Sequence, residues 1–340
     1  MIAASEDGSF WKDRRVFVTG SEGFLGSWMV KDLRDHGAFV VGLARENPAG
    51  APRIRDCAAK PNAVIRGSIV DFGLLLRTLN EYEIETVLHL AAQAIAGTAF
   101  QNPLPTFETN IRGTWQLLDV CRQIPTVKRI IVASSDKAYG PADCMPYDEA
   151  TPLLARTPYE VSKSCADMIA QTYHVSYRLP ICITRAANFY GGGDLNFSRI
   201  VPGTIRSALA GSAPVLRSDG TMIRDYIYVR DVTAAYLLLA QAMDDQKHWG
   251  QAFNFSLELQ LSALQMTHKI LDVMGRSDLT PVILNEAKAE IPVQYLSAAR
   301  ARRELGWKAR FMLEESLIET VDWYKTYFAS ASERDCQAAE

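Results

Sequence analysis

Two short segments carry most of the chemistry this chain can do. Ser134-Ser135-Asp136-Lys137-Ala138-Tyr139-Gly140 supplies hydroxyls, a carboxylic acid and an amine, and Tyr159-Glu160-Val161-Ser162-Lys163 supplies a phenol and a second amine. Tyr159 and Lys163 are four positions apart, so on a helix they share a face, where the ammonium can lower the phenol's pKa enough for it to act as a base near neutral pH. A hydroxyl, an acid, a base and an activated phenol together suit redox chemistry coupled to proton transfer. Tyr-x-x-x-Lys alone also arises by chance in many helices, as a half-buried Tyr and a solvated Lys. The surrounding elements must decide.

Thr157, Pro158 and Glu160 form a capping box with proline at the first helical position, and Val161 to Tyr177 carries no helix breaker. Nearer the start, Arg15 to Thr19 reads as a short apolar strand. It runs into Gly20-Ser21-Glu22-Gly23-Phe24-Leu25-Gly26 and then a helical stretch from Ser27 to His36. Strand, glycine turn and helix in that order present a helix N-terminus to a pyrophosphate. The expected dinucleotide contacts are Gly20, Gly23, Phe24, Leu25 and Gly26, joined by Ile69 and Ala91 further on. Val40 to Leu43, Ala63 to Ile65, Thr86 to Leu90, Arg129 to Ala133 and Ile181 to Arg185 repeat the short apolar run between helical stretches. That alternation predicts an α/β fold, a doubly wound parallel sheet of the Rossmann kind with right-handed crossovers. Ser135 and Tyr159 then fall near the carboxyl ends of strands, where such sheets bind ligands.

Two residues bear on the cofactor. Asp71 follows a strand and can accept from an adenine amine, or can cap the next helix, or both. The second strand ends in Ala44 and Arg45 where an NAD site usually offers a carboxylate to the ribose hydroxyls. Arg45 can pair with a 2′-phosphate, so the expectation is NADP or NAD, with NADP slightly favoured.

Beyond Arg185 the sequence changes character. Asn188-Phe189-Tyr190-Gly191-Gly192-Gly193-Asp194 reads as a flexible loop, and Arg199, Arg206, Arg217 and Arg224 follow it. Single arginines are usually solvated, yet Arg199 and Arg224 border loop or strand-end segments suited to an anionic ligand. From Leu261 on the chain reads as mainly helical, through Ala298 to Leu305 and then Gly306-Trp307. The predicted division is a dinucleotide-binding domain of 1–188 and about 225–256, interleaved with a smaller, mainly helical substrate domain of about 189–224 and 257–340.

Composition narrows the remaining classes. A formal charge of −3, from 36 basic and 39 acidic residues, has no basic stripe to favour nucleic acid. Cys57, Cys121, Cys144, Cys165, Cys182 and Cys336 are scattered, the five His show no metal-ligand spacing, and no metal is expected. Met1 to Arg15 is polar and acidic, unlike a signal peptide, and the most apolar helix, Val232 to Met243, is too short to span a bilayer. A cytoplasmic location with no membrane partner is expected.

Gly20-x-x-Gly23-x-x-Gly26, His89-Leu90-Ala91-Ala92-Gln93, Thr109-Asn110-x-x-Gly113-Thr114, Tyr159-x-x-x-Lys163, Arg224-Asp225-Tyr226 and Leu305-Gly306-Trp307 together resemble the extended short-chain dehydrogenases/reductases that act on nucleotide sugars. The resemblance covers nearly the whole chain. Ser135-Asp136-Lys137, with Gly191-Gly192-Gly193-Asp194 and Arg199-Ile200-Val201-Pro202, resembles the sugar-nucleotide 4,6-dehydratases, the CDP-glucose type above all. Lys137 stands where the TDP-glucose dehydratases carry Glu, while Arg224-Asp225-Tyr226 looks more like those enzymes and the epimerases. The resemblance implies that Tyr159, Ser135 and Lys163 serve oxidation at C4, with Asp136 as acid toward O6 and Lys137 as base at C5. Lys137 has a second reading, a structural cation pairing Asp136. The resemblance further implies Asn188, Arg199 and Arg224 as ligands of the substrate diphosphate, and a homodimer through exposed helices. His89 reads more plainly as the end of a strand, and Asn110 as an organiser of backbone.

Two rival functions fit the same residues. A nucleotide-sugar 4-epimerase or reductase would use Tyr159 and Ser135 and leave Asp136 and Lys137 idle. A non-catalytic NAD(P)-binding regulator would keep the fold without turnover.

Overall fold

The computed structural model describes residues 8–46, 59–141, 144–286 and 291–337, with side chains described as far as residue 330. By their internal packing the residues divide into two units, 1–187 with 232–256 and 296–308, and 188–231 with 257–295 and 309–340. Residues 225–231 thus group with the second unit and 296–308 with the first, where the sequence reading had them the other way round.

The first unit is built on a parallel sheet. Its strands are β1 (Arg15–Thr19), β2 (Phe39–Ala44), β3 (Ala63–Arg66), β4 (Thr86–His89), β5 (Arg129–Ala133), β6 (Ile181–Ala186) and β11 (Ala252–Phe255). They lie in the order β11-β6-β5-β4-β1-β2-β3, every pair parallel, so the order reverses between β1 and β4. Strands covered on both faces need apolar side chains at almost every position. Val16, Phe17, Val18, Val87, Leu88, Ile130 and Ile131 are accordingly fully buried. Each contributes roughly 1.5–3 kcal/mol through burial. The helices of this unit are α1 (Phe24–Asp35), α2 (Phe72–Glu81), α3 (Ala96–Gln101), α4 (Pro103–Phe107), α5 (Gly113–Gln123) and α6 (Pro158–Tyr177). Leu75 and Leu79 of α2 and Leu117, Leu118 and Cys121 of α5 pack into the same core as β1 and β4.

α6 starts where the capping box predicts. Pro158 takes the first helical position, and the Glu160 carboxylate accepts from the Thr157 N–H at 3.1 Å. The strand β11, Ala252-Phe253-Asn254-Phe255, is not among those expected from the sequence and completes the sheet beside β6.

In the second unit, β7 (Asn188–Tyr190) pairs in parallel with β10 (Tyr226–Tyr228), so the segment read as a flexible loop begins as a strand. Tyr190 to Asp194 is buried throughout. The other elements are α7 (Ile200–Leu209), β8 (Val215–Leu216), β9 (Ile223–Arg224), β12 (Leu261–Ser262), α9 (Ala263–Val273), β13 (Val282–Ile283), β14 (Val293–Gln294) and α10 (Leu313–Gln337). β9 sits between β12 and β14, and β13 pairs with β8. The helix α8 (Val229–Ala242) begins in the second unit and continues in the first. The stretch read as helical near Ala298 is short and ends in a π-helical turn, Ala301–Leu305.

Candidate active site

β1 ends at Thr19, and the chain turns at Gly20 with φ +69°, a conformation L side chains rarely adopt. A Cβ on Gly20 would stand 3.0 Å from the Ala91 Cα, and one on Gly26 would stand 2.0 Å from the Gly20 carbonyl oxygen. The loop therefore closes only with glycine at these places. Gly23 is the N-cap of α1 and makes no side-chain cap hydrogen bond, so no capping side chain stands between this helix end and an anion. Phe24 and Leu25 form the first turn, Leu25 buried and Phe24 half-buried. Ile69 is buried against Gly113, and Ala91 lies just past β4, where the strand order reverses. This cradle fits the pyrophosphate of a dinucleotide.

A buried polar cluster supports the cradle from beneath. Thr19 Oγ1 lies 2.9 Å from His89 Nδ1 and accepts from the N–H groups of Leu90 and Ala91, both at 3.0 Å. His89 Nε2 lies 3.0 Å from Thr114 Oγ1, whose hydroxyl donates to the Asn110 carbonyl. Burial, helped by the charge of Lys163, pushes the His89 imidazole down to about 3, so it stays neutral. His89 ends β4, and Thr19 and Thr114 were invisible as its partners because they come from distant segments.

The five residues expected to do chemistry all lie in the first unit. Ser135 caps the 3-10 turn Asp136–Tyr139. Its Oγ accepts from the Lys137 N–H at 3.2 Å and donates to Asp136 Oδ1 at 3.0 Å. Lys137 Nζ stands 3.5 Å from Asp136 Oδ2, and Asp136 is 3% exposed. Tyr159 is half-buried in the first turn of α6. One turn on, Lys163 is buried and donates to the Ala133 carbonyl at the end of β5, at 2.8 Å. Ser164 Oγ donates to the Ala138 carbonyl at 2.7 Å, which fastens α6 to the turn. Burial pushes the Lys163 ammonium down to about 8, against the opposing pull of Asp167. Ser134 Oγ is buried without a hydrogen-bond partner among the described residues.

Asn110 sits in a π-helical turn, Glu108–Arg112, that leads into α5. Its amide nitrogen donates to the Gln93 carbonyl and to Ser162 Oγ, and its Oδ1 accepts from the Gln93 N–H at 2.8 Å. Ser162 Oγ in turn donates to the Tyr159 carbonyl at 2.7 Å. Asn110 therefore ties the backbone at Gln93 to α6 through Ser162.

At the ends of β2 and β3, Arg45 is exposed, and Arg66 reaches across from β3. Arg66 donates to both Glu22 oxygens at 2.8 and 2.5 Å and to the Arg45 carbonyl at 3.4 Å. Asp71 caps α2 by accepting from the Leu74 N–H at 2.9 Å and remains exposed. Asn188, Arg199 and Arg224 lie in the second unit. Asn188 Nδ2 donates to the Asp225 carbonyl, Arg199 pairs with Asp194 at 2.9 Å, and Arg224 donates to the Ile223 and Ile291 carbonyls at 2.9 and 2.7 Å.

The chain is similar to known proteins over most of its length. The sequence profile of the GDP-mannose 4,6-dehydratase family matches residues 17–320. A CDP-glucose 4,6-dehydratase from Salmonella typhimurium is 28% identical, over 98% of this chain and 97% of its own length. A dTDP-glucose 4,6-dehydratase from Haemophilus influenzae is 27% identical, over 91% and 97%. Among solved structures, the dTDP-glucose 4,6-dehydratase DesIV from Streptomyces venezuelae, with NAD bound, superposes with a TM-score of 0.81 at 28% identity, covering 92% of this chain and 97% of that one. A UDP-glucose 4-epimerase from Thermotoga maritima, with UDP-glucose, gives 0.84 at 27% identity, covering 92% and 99%.

Proposed function

The chain belongs to the GDP-mannose 4,6-dehydratase family, and on that premise we propose that it converts an NDP-hexose, CDP-glucose favoured, to the NDP-4-keto-6-deoxyhexose. The observation that carries this reading is the Asp136–Lys137 pair. An acid and an amine 3.5 Å apart follow the Ser135 hydroxyl directly and are fastened to the helix of Tyr159 and Lys163. Oxidation alone has no use for that pair, whereas removal of water needs both an acid and a base. The Salmonella relative supports CDP-glucose.

A bound nicotinamide dinucleotide would supply the hydride acceptor at C4 and the hydride donor at C6, so the reaction is redox-neutral overall. Gly20, Gly23, Phe24, Leu25 and Gly26 would hold its pyrophosphate, with Ile69 and Ala91 alongside and Lys163 on a ribose. Tyr159 takes the proton from the sugar O4, and Ser135 hydrogen-bonds the same oxygen. The 4-ketone acidifies the C5 hydrogen. Lys137 then removes that proton while Asp136 protonates the leaving O6. Asn188, Arg199 and Arg224 hold the substrate diphosphate. For Arg199 this means sharing the guanidinium with Asp194, its present partner.

NADP is slightly favoured over NAD through Arg45, with the Arg66 guanidinium close by. Glu22 already engages Arg66, so discrimination is expected to be small. A homodimer is proposed through the α6 face on which Met168 and Val175, two turns apart, are 57% and 70% exposed, because exposed apolar residues on one helix face mark an interaction surface. A monomer in sedimentation equilibrium would remove that part. A cytoplasmic setting is supported by the unpaired Cys121, Cys144, Cys165 and Cys182. Cys57 lies outside the described residues, and the Cys336 side chain is not described. Finding the native protein outside the cytosol on cell fractionation would contradict that setting. Among the described residues no helix is long and apolar enough to cross a membrane.

Mass spectrometry of products from CDP-, TDP-, UDP- and GDP-hexoses, each with NAD and with NADP, tests the reading. Loss of one water from at least one substrate is expected, without net accumulation of reduced cofactor. A product of unchanged mass would instead favour the second reading, a 4-epimerase, which the Thermotoga structure keeps in view.

A further inference from the structure

Behind the candidate site the first unit buries a cluster of charged and polar groups that the proposed reaction does not use. Arg185 on β6 is 3% exposed and Asp167 on α6 is fully buried. The guanidinium grips both carboxylate oxygens, Nε to Oδ2 at 2.8 Å and Nη2 to Oδ1 at 3.0 Å. Its remaining nitrogen, Nη1, donates to the Tyr139 hydroxyl at 3.0 Å, and the guanidinium carbon lies 4.9 Å from the centre of that ring. Tyr139 donates onward to Asn254 Oδ1 on β11 at 2.7 Å. Asn254 is pinned by its own donations to the carbonyls of Tyr147 and Ser297, while its N–H donates to Glu149 Oε1. The charged groups around Arg185 are therefore Asp167 from α6 and Glu149 from the loop before α6, with Arg300 at 3.9 Å from Glu149.

The two ends of this cluster stand next to two different parts of the site. Asp167 lies one turn along α6 from Lys163, which itself lies one turn from Tyr159. Tyr139 is the last residue of the turn that begins with Asp136 and Lys137. We propose that Arg185 is a positioning residue that brackets the site, holding the Tyr159–Lys163 helix through Asp167 and the Asp136–Lys137 turn through Tyr139.

The planar fork is what makes the bracket rigid. It presents donors in fixed directions to two acceptors, which a lysine's single ammonium cannot reproduce. The two arms can be cut separately. Tyr139→Phe keeps the ring and removes only the hydroxyl joining Arg185 to Asn254, so it loosens the turn and spares α6. A displacement on the order of 1 Å can cost about 100-fold in a step that needs aligned groups.

The kinetic part of this inference rests on the dehydratase reading. Single-turnover reactions with CDP-glucose would follow nicotinamide absorbance for C4 oxidation, and solvent deuterium at C5 with mass for water loss. In Tyr139→Phe, C4 oxidation should stay within about twofold of the parent while water loss slows by about tenfold or more. Arg185→Lys should fall between parent and Arg185→Met, and Arg185→Met should slow both steps. Equal slowing of both steps in Tyr139→Phe, or no slowing, would overturn the bracket. Amide hydrogen exchange of the unliganded protein gives a readout that needs no substrate. Exchange across 136–139 should rise at least about tenfold in Tyr139→Phe, with the first turns of α6 unchanged. Unchanged protection at 136–139 overturns the positioning role whatever the substrate proves to be. A parent enzyme that releases no water overturns only the dehydratase reading.

Discussion

Two glycine-rich segments of this molecule look alike in sequence and are glycine-rich for different reasons. In Gly20-Ser21-Glu22-Gly23-Phe24-Leu25-Gly26 the constraint is local: the Cβ of a residue 26 other than glycine would meet the carbonyl of residue 20, at 2.0 Å. In Gly191-Gly192-Gly193 the constraint is remote, since a Cβ on Gly192 would lie 2.2 Å from Cγ of Trp323 on α10. Trp323 in turn stacks on Tyr327 with ring centres 5.2 Å apart. The first segment bends so that a helix end stays open. The second lets an aromatic side chain come close against the backbone. Glycine marks a close approach in both cases, and only the distance along the chain to the approaching group differs.

The comparison breaks most sharply at Gly26. Gly26→Ala puts a methyl into backbone that cannot swing aside, so we expect a loss of about 3–5 kcal/mol in urea unfolding, in the exceptional range for one residue. NAD(P) affinity in titration should fall with it. Gly192→Ala meets the root of the Trp323 side chain, Cγ at 2.2 Å and Cβ at 2.7 Å, so Trp323 must move with its helix, and the expected loss is about 1–3 kcal/mol, as for overpacking. NAD(P) affinity should hold, because none of the proposed cofactor residues lies in the second unit. If Gly192→Ala abolished cofactor binding while Gly26→Ala kept it, the distinction between an open helix end and a ring platform would be reversed.

The same difference in range decides how much of the molecule the sequence disclosed. The strands β1 to β6 and the start of α6 are written in runs of adjacent residues, and so is the Ser135-Asp136-Lys137 turn. The bury-everything pattern of a parallel strand and the Thr157–Glu160 box need no knowledge of distant partners. Residues 188–194 resemble a flexible loop in sequence because glycines signal turns locally. What fills the space is Trp323, more than a hundred residues away. In sequence Arg185 is only the end of a strand. Its partners Asp167, Tyr139 and, through Tyr139, Asn254 come from three other elements. His89 likewise gave no hint that Thr19 and Thr114 would take up its two ring nitrogens.

Lys163 sharpens the comparison with an effect that is smaller and opposite in sign. Glycines at the loop serve fold and ligand alike, whereas a buried ammonium at 163 serves the site at the expense of the unliganded fold. Burial lowers this group from 10.5 to about 8, so between those values the unfolded chain binds more protons than the folded one. Stability from this residue therefore rises with pH across roughly 8 to 10.5 and is lowest below 8. The shift corresponds to about 3 kcal/mol near pH 7, against which Lys163→Met gives up a charge-assisted bond to the Ala133 carbonyl, about 1.5–3 kcal/mol. Lys163→Met in the cofactor-free protein should thus be at least as stable as the parent at pH 7, exceeding it by up to about 1.5 kcal/mol, while losing C4 oxidation. That advantage should shrink steadily as the pH is raised toward 10. Urea midpoints measured across this range decide the matter. A Lys163→Met variant that is less stable at pH 7, or whose difference from the parent ignores pH, would mean that the ammonium bears no burial penalty and that residue 163 belongs with the glycines as a residue the fold itself requires.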